Sequence, residues 1–409
     1  MNNKDILYLT KHYNEFIYPK PIEDIDEEFI NKKKYYLNDP TYYWYKIWPE
    51  KPYSNQKLNV LVAGCGTHQA AILAKLNPGH FFVGIDLSTN SIAHQEKLIK
   101  KHKIQNLELI CNDFREVKLK EKCDLIISSG VIHHLDEPGS ALKYFNENLQ
   151  EDGVISLMVY GNKSIYPVNE IKKAINILHL DHSKKSINSI KSLFERLNPN
   201  HPAKILLKNY NDLSYDAGVI DMFLHKSEKF FSIKELINLL SEHNLRIKNL
   251  SDGRNLCCTK FFINNTEKLK EIRELNIEDQ WQIGQTLNWN DRKIEVNCTK
   301  KNNLYPNLEP KNLNIENIYI YRCTDIIYKV NSDFFKITLS NGESYNYNFN
   351  FSSKTLKVLE LILQGREKIS GLLNLYNDQE KFLLKEFFLL LIENNLVDIS
   401  LHPIVVDKK

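Results

Sequence analysis

The chain has 409 residues, of which 42% are hydrophobic, 26% charged and 11% aromatic, with a formal net charge of +3. That length provides for two or three domains and a well-buried core, and the aromatic content excludes a largely disordered chain. So small a net charge excludes a global field that would draw the protein to nucleic acid or to an anionic membrane.

Seven cysteines, an odd number without a CxxC pair, match no zinc module, so a metal site is not expected. Reduced thiols, a charged start where a signal peptide needs an apolar run, and the lack of an ~18-residue apolar window together suggest a soluble, cytoplasmic protein.

In chain order, residues 1–57 form an aromatic, charged N-terminal cap segment, with Tyr18-Pro19-Lys20-Pro21 and the cluster Tyr42, Tyr43, Trp44, Tyr45 and Trp48. A βα alternation follows. Asn59–Ala63 reads as a buried strand, then a small-residue turn and a helix over Gln69–Lys75. Phe81–Ile85 is a second strand, and Ser88 caps a helix reaching about Lys103. Leu107–Cys111, Leu125–Ser128 and Val154–Val159 are three further strands. This spacing predicts a parallel sheet within an α/β fold.

Residues 163–226 read as a helical insertion over the ligand edge of the sheet. Ser232-Ile233-Lys234-Glu235 is a capping box opening a helix through Leu240. Arg246–Leu250 and Leu256–Ile263 then read as an antiparallel pair of strands. The α/β domain is thus placed at 58–265, with a charged connector at 266–302. In the C-terminal domain, 303–409, Phe335–Leu339 and Ser344–Phe349 flank Asn341-Gly342, a hairpin signal. Helices near 353–363, 366–376 and 379–394 and a strand at Val397–Leu401 follow, an order that suits an α+β, winged-helix-like module.

The chemistry concentrates after the first strand, in Ala63-Gly64-Cys65-Gly66-Thr67-His68. Glycines at a strand's carboxyl end let a ligand approach the backbone, and the helix N-terminus beyond favours its polar part. A dinucleotide fingerprint needs a third glycine where this chain has Gln69, which disfavours a nicotinamide cofactor. Asp86 ends the second strand, where a carboxylate accepts from both ribose hydroxyls. Asp113-Phe114 follows the third strand, an acid beside an aromatic suited to an amino-bearing base.

VLVAGCGTH, VGIDLSTNSI, CNDF, CDLIISSGVIHHLDEP and GVISLMVYG, in this order across 58–162, resemble the class I S-adenosylmethionine-dependent methyltransferase family. The resemblance implies a Rossmann-like, doubly wound seven-stranded sheet and S-adenosyl-L-methionine as cofactor. It assigns Gly64 and Gly66 to the methionine and ribose region, Asp86 to the ribose, and Asp113 and Phe114 to the adenine, with Ala63, Cys65, Gln69, Leu87 and Asn112 as further cofactor-binding positions. Ser129 and Gly130 fall beside the transferable methyl. Val62 stands where the family usually has an acid, and His68 where it has a third glycine.

The acceptor end offers His133 and His134 as candidate bases and Tyr18, Tyr160 and Tyr166 as candidate pocket walls. Asp221 and His225 stand at i and i+4 on one helix face, a further candidate pair. The sequence does not identify the acceptor, a protein lysine or a small molecule; a diffuse likeness to bacterial protein lysine methyltransferases with regulatory or dimerisation domains implies the former and a homodimer contact through the C-terminal domain. Two alternatives stay open: another enzyme using the same nucleoside site, such as an aminopropyltransferase, and a non-catalytic cofactor-binding scaffold. The helix near 379–394 mixes Lys381 and Lys385 with Glu380, Glu386 and Glu393, so a nucleic-acid partner is not expected.

Overall fold

The computed structural model of the protein describes residues 3–32, 34–162, 165–207, 211–225, 228–263, 265–288, 293–303, 309–322, 326–330, 335–339, 344–347 and 364–404. It falls into two compact units, Met1–Asn38 with Gln56–Lys248 and Asn288–Asn303, and Asp39–Asn55 with Asn249–Leu287 and Leu304–Lys409.

The first unit is built on a sheet of β1 (Asn59–Ala63), β2 (Phe81–Asp86), β3 (Leu107–Cys111), β4 (Cys123–Ser129), β5 (Leu149–Tyr160), β6 (Leu245–Asp252) and β7 (Lys293–Lys300). The strand order is β3-β2-β1-β4-β5-β7-β6, so the expected α/β, Rossmann-like seven-stranded fold is present. Strands β1 to β5 are parallel, and β7 runs antiparallel to β5. Val60–Ala63 and Leu125–Ile127 are buried throughout. That explains why these strands read as continuous apolar runs, as central parallel strands do. The chain reverses direction across the sheet between β1 and β4, and this switch point opens a crevice at the strands' carboxyl ends.

Helix α1 (Asn3–Glu15) precedes this core, and α3 (Gln69–Leu76) and α4 (Thr89–His102) connect its first three strands. Ser88 Oγ accepts from Ser91 N and caps α4, as its position before the helix implies. Helix α5 (Pro138–Asn148) joins β4 to β5. The insertion is helical as expected, with α6 (Tyr166–Ile177), α7 (Lys184–Arg196), α8 (Pro202–Leu207) and α9 (Asp216–Phe223). Ile171, Ile175, Ile190, Phe194, Ile220 and Phe223 belong to its own buried cluster. Each such side chain contributes roughly 1.5–3 kcal/mol, enough for the insertion to hold a fixed shape. The capping box at Ser232 and Glu235 opens α10 (Ile233–Glu242).

Three expectations need correction. Leu256–Ile263 is not a strand. Leu256 N and Cys257 N both donate to Gly253 O, which winds the chain into a turn before a short 3-10 helix over Thr259–Phe262. The neighbour of β6 in the sheet comes instead from the range read as a connector, as β7, where buried Ile294, Val296 and Cys298 alternate along the strand. The same range holds α11 (Thr266–Glu274) and α12 (Ile277–Leu287). Leu269 of α11 shares a buried cluster with Phe387 and Phe388, and Arg273 bonds Glu386 at 2.7 Å and Glu393 at 2.6 Å. These contacts make α11 part of the second unit, not a tether.

The N-terminal cap segment likewise divides at Asn38. Residues 39–55 carry α2 (Trp44–Ile47) into the second unit, where Lys46 Nζ lies 2.8 Å from Asp398 and Leu401 N donates to Pro49 O. Third, 366–368, read as the start of a helix, belongs to a strand, Gln364–Lys368, antiparallel to Tyr319–Arg322, with a helix only from Ile369 to Leu373. Gly365 weakens the helical alternative there.

The hairpin strands pair as read, Phe335 opposite Tyr347 and Thr338 opposite Ser344. Its Asn341-Gly342 turn and the helix near 353–363 lie outside the described residues. The helix Asp378–Glu393 and the strand Val397–Ser400 are present. Among the described residues no helix is long and apolar enough to cross a membrane.

Candidate functional site

At the switch point lies a cavity of about 440 Å³, lined entirely by residues of the first unit. One end is made by the turn after β1. Gly64 and Gly66 hold φ of 71° and 55°, left-handed values that favour glycine. A Cβ on Gly64 would overlap Cγ2 of Val131, and one on Gly66 would lie 2.9 Å from Pro19 Cδ. The turn is pinned from both sides. Gly64 N and Cys65 N donate to Ile85 O at 2.8 and 3.0 Å, and Gly66 N donates to Asp86 Oδ2 at 2.7 Å. Behind it the buried Gln95 donates to Gly66 O at 2.7 Å and accepts from Ala71 N at 2.9 Å.

Asp86 also accepts from Ser88 N at 2.9 Å, and burial raises its pKa from the ordinary value. With two backbone amides already on it, its oxygens keep lone pairs for two hydroxyls. Asn112 N donates to Asp86 O, which carries the β3 turn up to the same wall.

Asp113 lines the cavity, yet its carboxylate is forked onto Arg115, at 3.0 Å to Nε and 2.7 Å to Nη2. Phe114 lines it too, with its ring stacked on Phe145 at 5.4 Å. Cys65 is buried, and burial first, then Asp86, pushes its thiol well above its usual pKa, so it is a filler and not a nucleophile.

The other end lies beyond β4 and β5. Ser129, Gly130, Val131, His134, Leu135, Met158 and Tyr160 line it, joined by Leu9 and Tyr13 of α1 and by Lys293. The two adjacent histidines separate here. His134 faces the cavity; His133, fully buried, packs on Tyr160 at 4.1 Å. Asp221 and His225 stand one layer behind the lining: Tyr13 Oη donates to Asp221 Oδ1 at 3.4 Å, and His225 packs 4.4 Å from His134. His12, packed 4.8 Å from His225, has a pKa lowered to about 4, by burial first and by His182 second.

Of the sequence-derived site residues, Gly64, Cys65, Gly66, Gln69, Asp86, Leu87, Asn112, Asp113, Phe114, Ser129, Gly130, His134, Tyr18 and Tyr160 share this one cavity. Ala63 is buried beneath it. Tyr166 does not reach it: it opens α6 with 60% of its surface exposed. Sequence reasoning missed Tyr13, Tyr36, His68 and Met158 of the lining, and the brace Gln95. Gln95 left a signal, an amide on the buried stripe Ile92, Gln95, Leu98 of α4, and His68 and Met158 lie inside the motifs VLVAGCGTH and GVISLMVYG. Among the described residues one trio has metal-ligand spacing, Asp24, Asp26 and His102. Its two acids already pair with Lys101 at 2.9 Å and Lys75 at 2.6 Å.

A family model described as a methyltransferase domain matches residues 54–195, the segment that supplies the glycine turn, Asp86, the β3 turn and the end of β4. The match covers residues 54–195 and makes that segment similar to methyltransferase domains. PKMT2 from Rickettsia typhi, solved alone and in complex with AdoHcy, is similar with TM-scores of 0.64 and 0.65 at 15% and 17% identity. The likeness covers 89% of this chain and 75–76% of that one. A malonyl-[acyl-carrier protein] O-methyltransferase of Acetivibrio thermocellus is 21% identical over 225 residues, 54% of this chain and 76% of the relative.

Proposed function

We propose that this chain is an S-adenosyl-L-methionine-dependent methyltransferase whose acceptor is a protein lysine. The observation that carries the first half is the meeting, in one cavity, of the left-handed glycine turn, Asp86, the β3 turn and the Ser129-Gly130 end of β4. Support for the second half is the fold shared with PKMT2 over a share of the chain larger than the first unit alone. In that reading the second unit serves regulation or dimerisation, and Phe382 and Leu383 are exposed on its Asp378–Glu393 helix.

Bound there, S-adenosyl-L-methionine would supply a sulfonium methyl group for in-line transfer to an acceptor lone pair, with the thioether as leaving group. The chain's own residues do the rest. Gly64 and Gly66 bring their backbone against the ligand without a Cβ in the way. Asp86 takes the ribose hydroxyls, and its bonds to Gly66 N and Ser88 N hold it in place beforehand. Leu9, Leu135, Met158 and Tyr160 wall the transfer end and keep water out. His134 is the imidazole of the lining there, placed to receive a proton from a protonated acceptor. Orientation in a dry pocket can contribute ~7–11 kcal/mol, so a metal or a covalent nucleophile is not required.

Incubating the protein with methyl-tritiated S-adenosyl-L-methionine and a fractionated cell extract tests this reading. Label is expected in the protein fraction, on lysine after hydrolysis. Label confined to small molecules would replace the lysine acceptor by a small-molecule one. Cofactor binding with no label anywhere would favour the non-catalytic scaffold.

A further inference from the structure

We infer that Tyr13, supplied by the N-terminal helix from outside the matched methyltransferase segment, is an acceptor-orienting residue, held in register by Asp221 of the insertion; this rests on the methyl-transfer reading above. Helix α1 reaches the cavity through its last two turns, from which Leu9 and Tyr13 enter the lining. That turn is tied to the residues next to the ribose carboxylate. Ser88 Oγ donates to Tyr13 O at 3.0 Å, Asn90 Nδ2 to Asn14 O at 2.8 Å, and Thr89 Oγ1 to Asn14 Oδ1 at 3.1 Å. The backbone of Tyr13 is therefore fixed to the N-terminus of α4, two residues beyond Asp86.

Its side chain leaves that anchor for the opposite end of the cavity. The ring lies 6.2 Å from His134 and 6.1 Å from His225, and Oη donates to Asp221 Oδ1 in a long bond of 3.4 Å. Among the described residues Asp221 is the hydrogen-bond partner of that hydroxyl. The phenol stays neutral, because burial first and the charge of Asp221 second raise its pKa well above the ordinary value. A neutral phenol whose proton is directed to Asp221 turns its lone pairs away from the carboxylate. They can accept an N–H or O–H of the acceptor and so aim the acceptor's own lone pair.

In the transfer itself that lone pair forms the new bond to the methyl carbon, the electron pair of the breaking C–S bond stays on sulfur, and the acceptor's proton leaves to His134. Tyr13 remains chemically unchanged. Tyr160 is a poorer candidate for this task. Its ring is sandwiched between His133 at 4.1 Å and Phe230 at 6.4 Å, which makes it a wall. The arrangement also joins the two halves of the site: one helix is pinned at the ribose end and delivers its side chain to the acceptor end, so a helix that is out of place forfeits transfer before it forfeits the cofactor.

The test compares wild type, Tyr13→Phe, Asp221→Ala and the double variant, each by calorimetry with S-adenosylhomocysteine, by melting temperature, and by initial rate of tritium transfer into the protein fraction of a cell extract. Tyr13→Phe keeps the ring, and is expected to transfer at least tenfold more slowly, with S-adenosylhomocysteine affinity within about threefold of wild type and an unchanged melting temperature. Asp221→Ala is expected to lose a similar factor, and the double variant no more than the greater single loss, since both remove one orientation. Wild-type transfer by Tyr13→Phe would overturn the proposal, as would losses that multiply in the double variant, or rate and affinity falling in parallel with a lower melting temperature. A wild-type protein that binds S-adenosylhomocysteine yet labels nothing removes the methyl-transfer reading itself, and this proposal with it.

Discussion

Gly64→Ala is expected to reduce S-adenosylhomocysteine affinity at least a hundredfold and to lower the melting temperature by about 5–15 °C. Two costs combine. At φ 71° an alanine occupies the left-handed region, at roughly 1–2 kcal/mol. Its Cβ would also overlap Val131, and forced repacking at a well-filled site costs about 1–3 kcal/mol. Valine has little rotamer freedom with which to yield. The strain is relieved most directly by moving the turn, which breaks the bonds from Gly64 N and Cys65 N to Ile85 O and displaces the surface the ligand rests on. A total of ~2–5 kcal/mol in a unit of this size corresponds to that melting shift. Calorimetry and differential scanning on purified protein read both quantities. Wild-type affinity with a wild-type melting temperature would show that the turn is not the cofactor's seat.

Asp86→Ala carries the second large effect, a loss of roughly 1.5–3 kcal/mol in cofactor binding, or about 10–150-fold. The carboxylate has two duties. Toward the cavity it offers charge-assisted bonds to two hydroxyls; toward the protein it accepts from Gly66 N and Ser88 N. Alanine removes both, leaving amides that were satisfied without a partner and freeing the glycine turn. Titration of the variant with S-adenosylhomocysteine measures the sum, and unchanged affinity would reduce Asp86 to the brace of a turn and the start of α4.

Much of the glycine-turn end of the cavity was legible in the sequence for physical reasons that these residues illustrate. Strands β1 and β2 are apolar runs and β3 is one interrupted by Glu108, all ended by small or acidic residues, and their observed limits differ from the reading by at most one residue. Gly64, Gly66 and Asp86 could be read because their tasks depend on local backbone geometry at strand ends. Strand β7 escaped notice because its alternation is short, edged by lysines, and separated from β5 by the insertion, α10, β6 and two further helices. Leu256–Ile263 misled for the converse reason: an apolar run signals burial but not conformation, and here the burial is that of a turn. The division of the N-terminal segment depends on pairings such as Lys46 with Asp398, some 350 positions apart, which composition cannot announce.

The acceptor half was read less well because it is assembled by packing. His133 and His134 are neighbours in sequence, and only the short 3-10 helix over Ile132–His134 decides which of them meets the cavity. Tyr166 has the right chemistry on the wrong face of α6. Tyr13 belongs to no motif, and its place follows from hydrogen bonds between α1 and α4 that no spacing rule encodes.

The most direct test of the central claim is a pair of calorimetric titrations of the full chain, one with S-adenosylhomocysteine and one with NAD. The two left-handed glycines, Gln69 in place of a third glycine, and Asp86 facing the cavity predict saturable binding of S-adenosylhomocysteine at one site per chain and no binding of NAD. Saturable binding of NAD with no heat from S-adenosylhomocysteine would contradict the account.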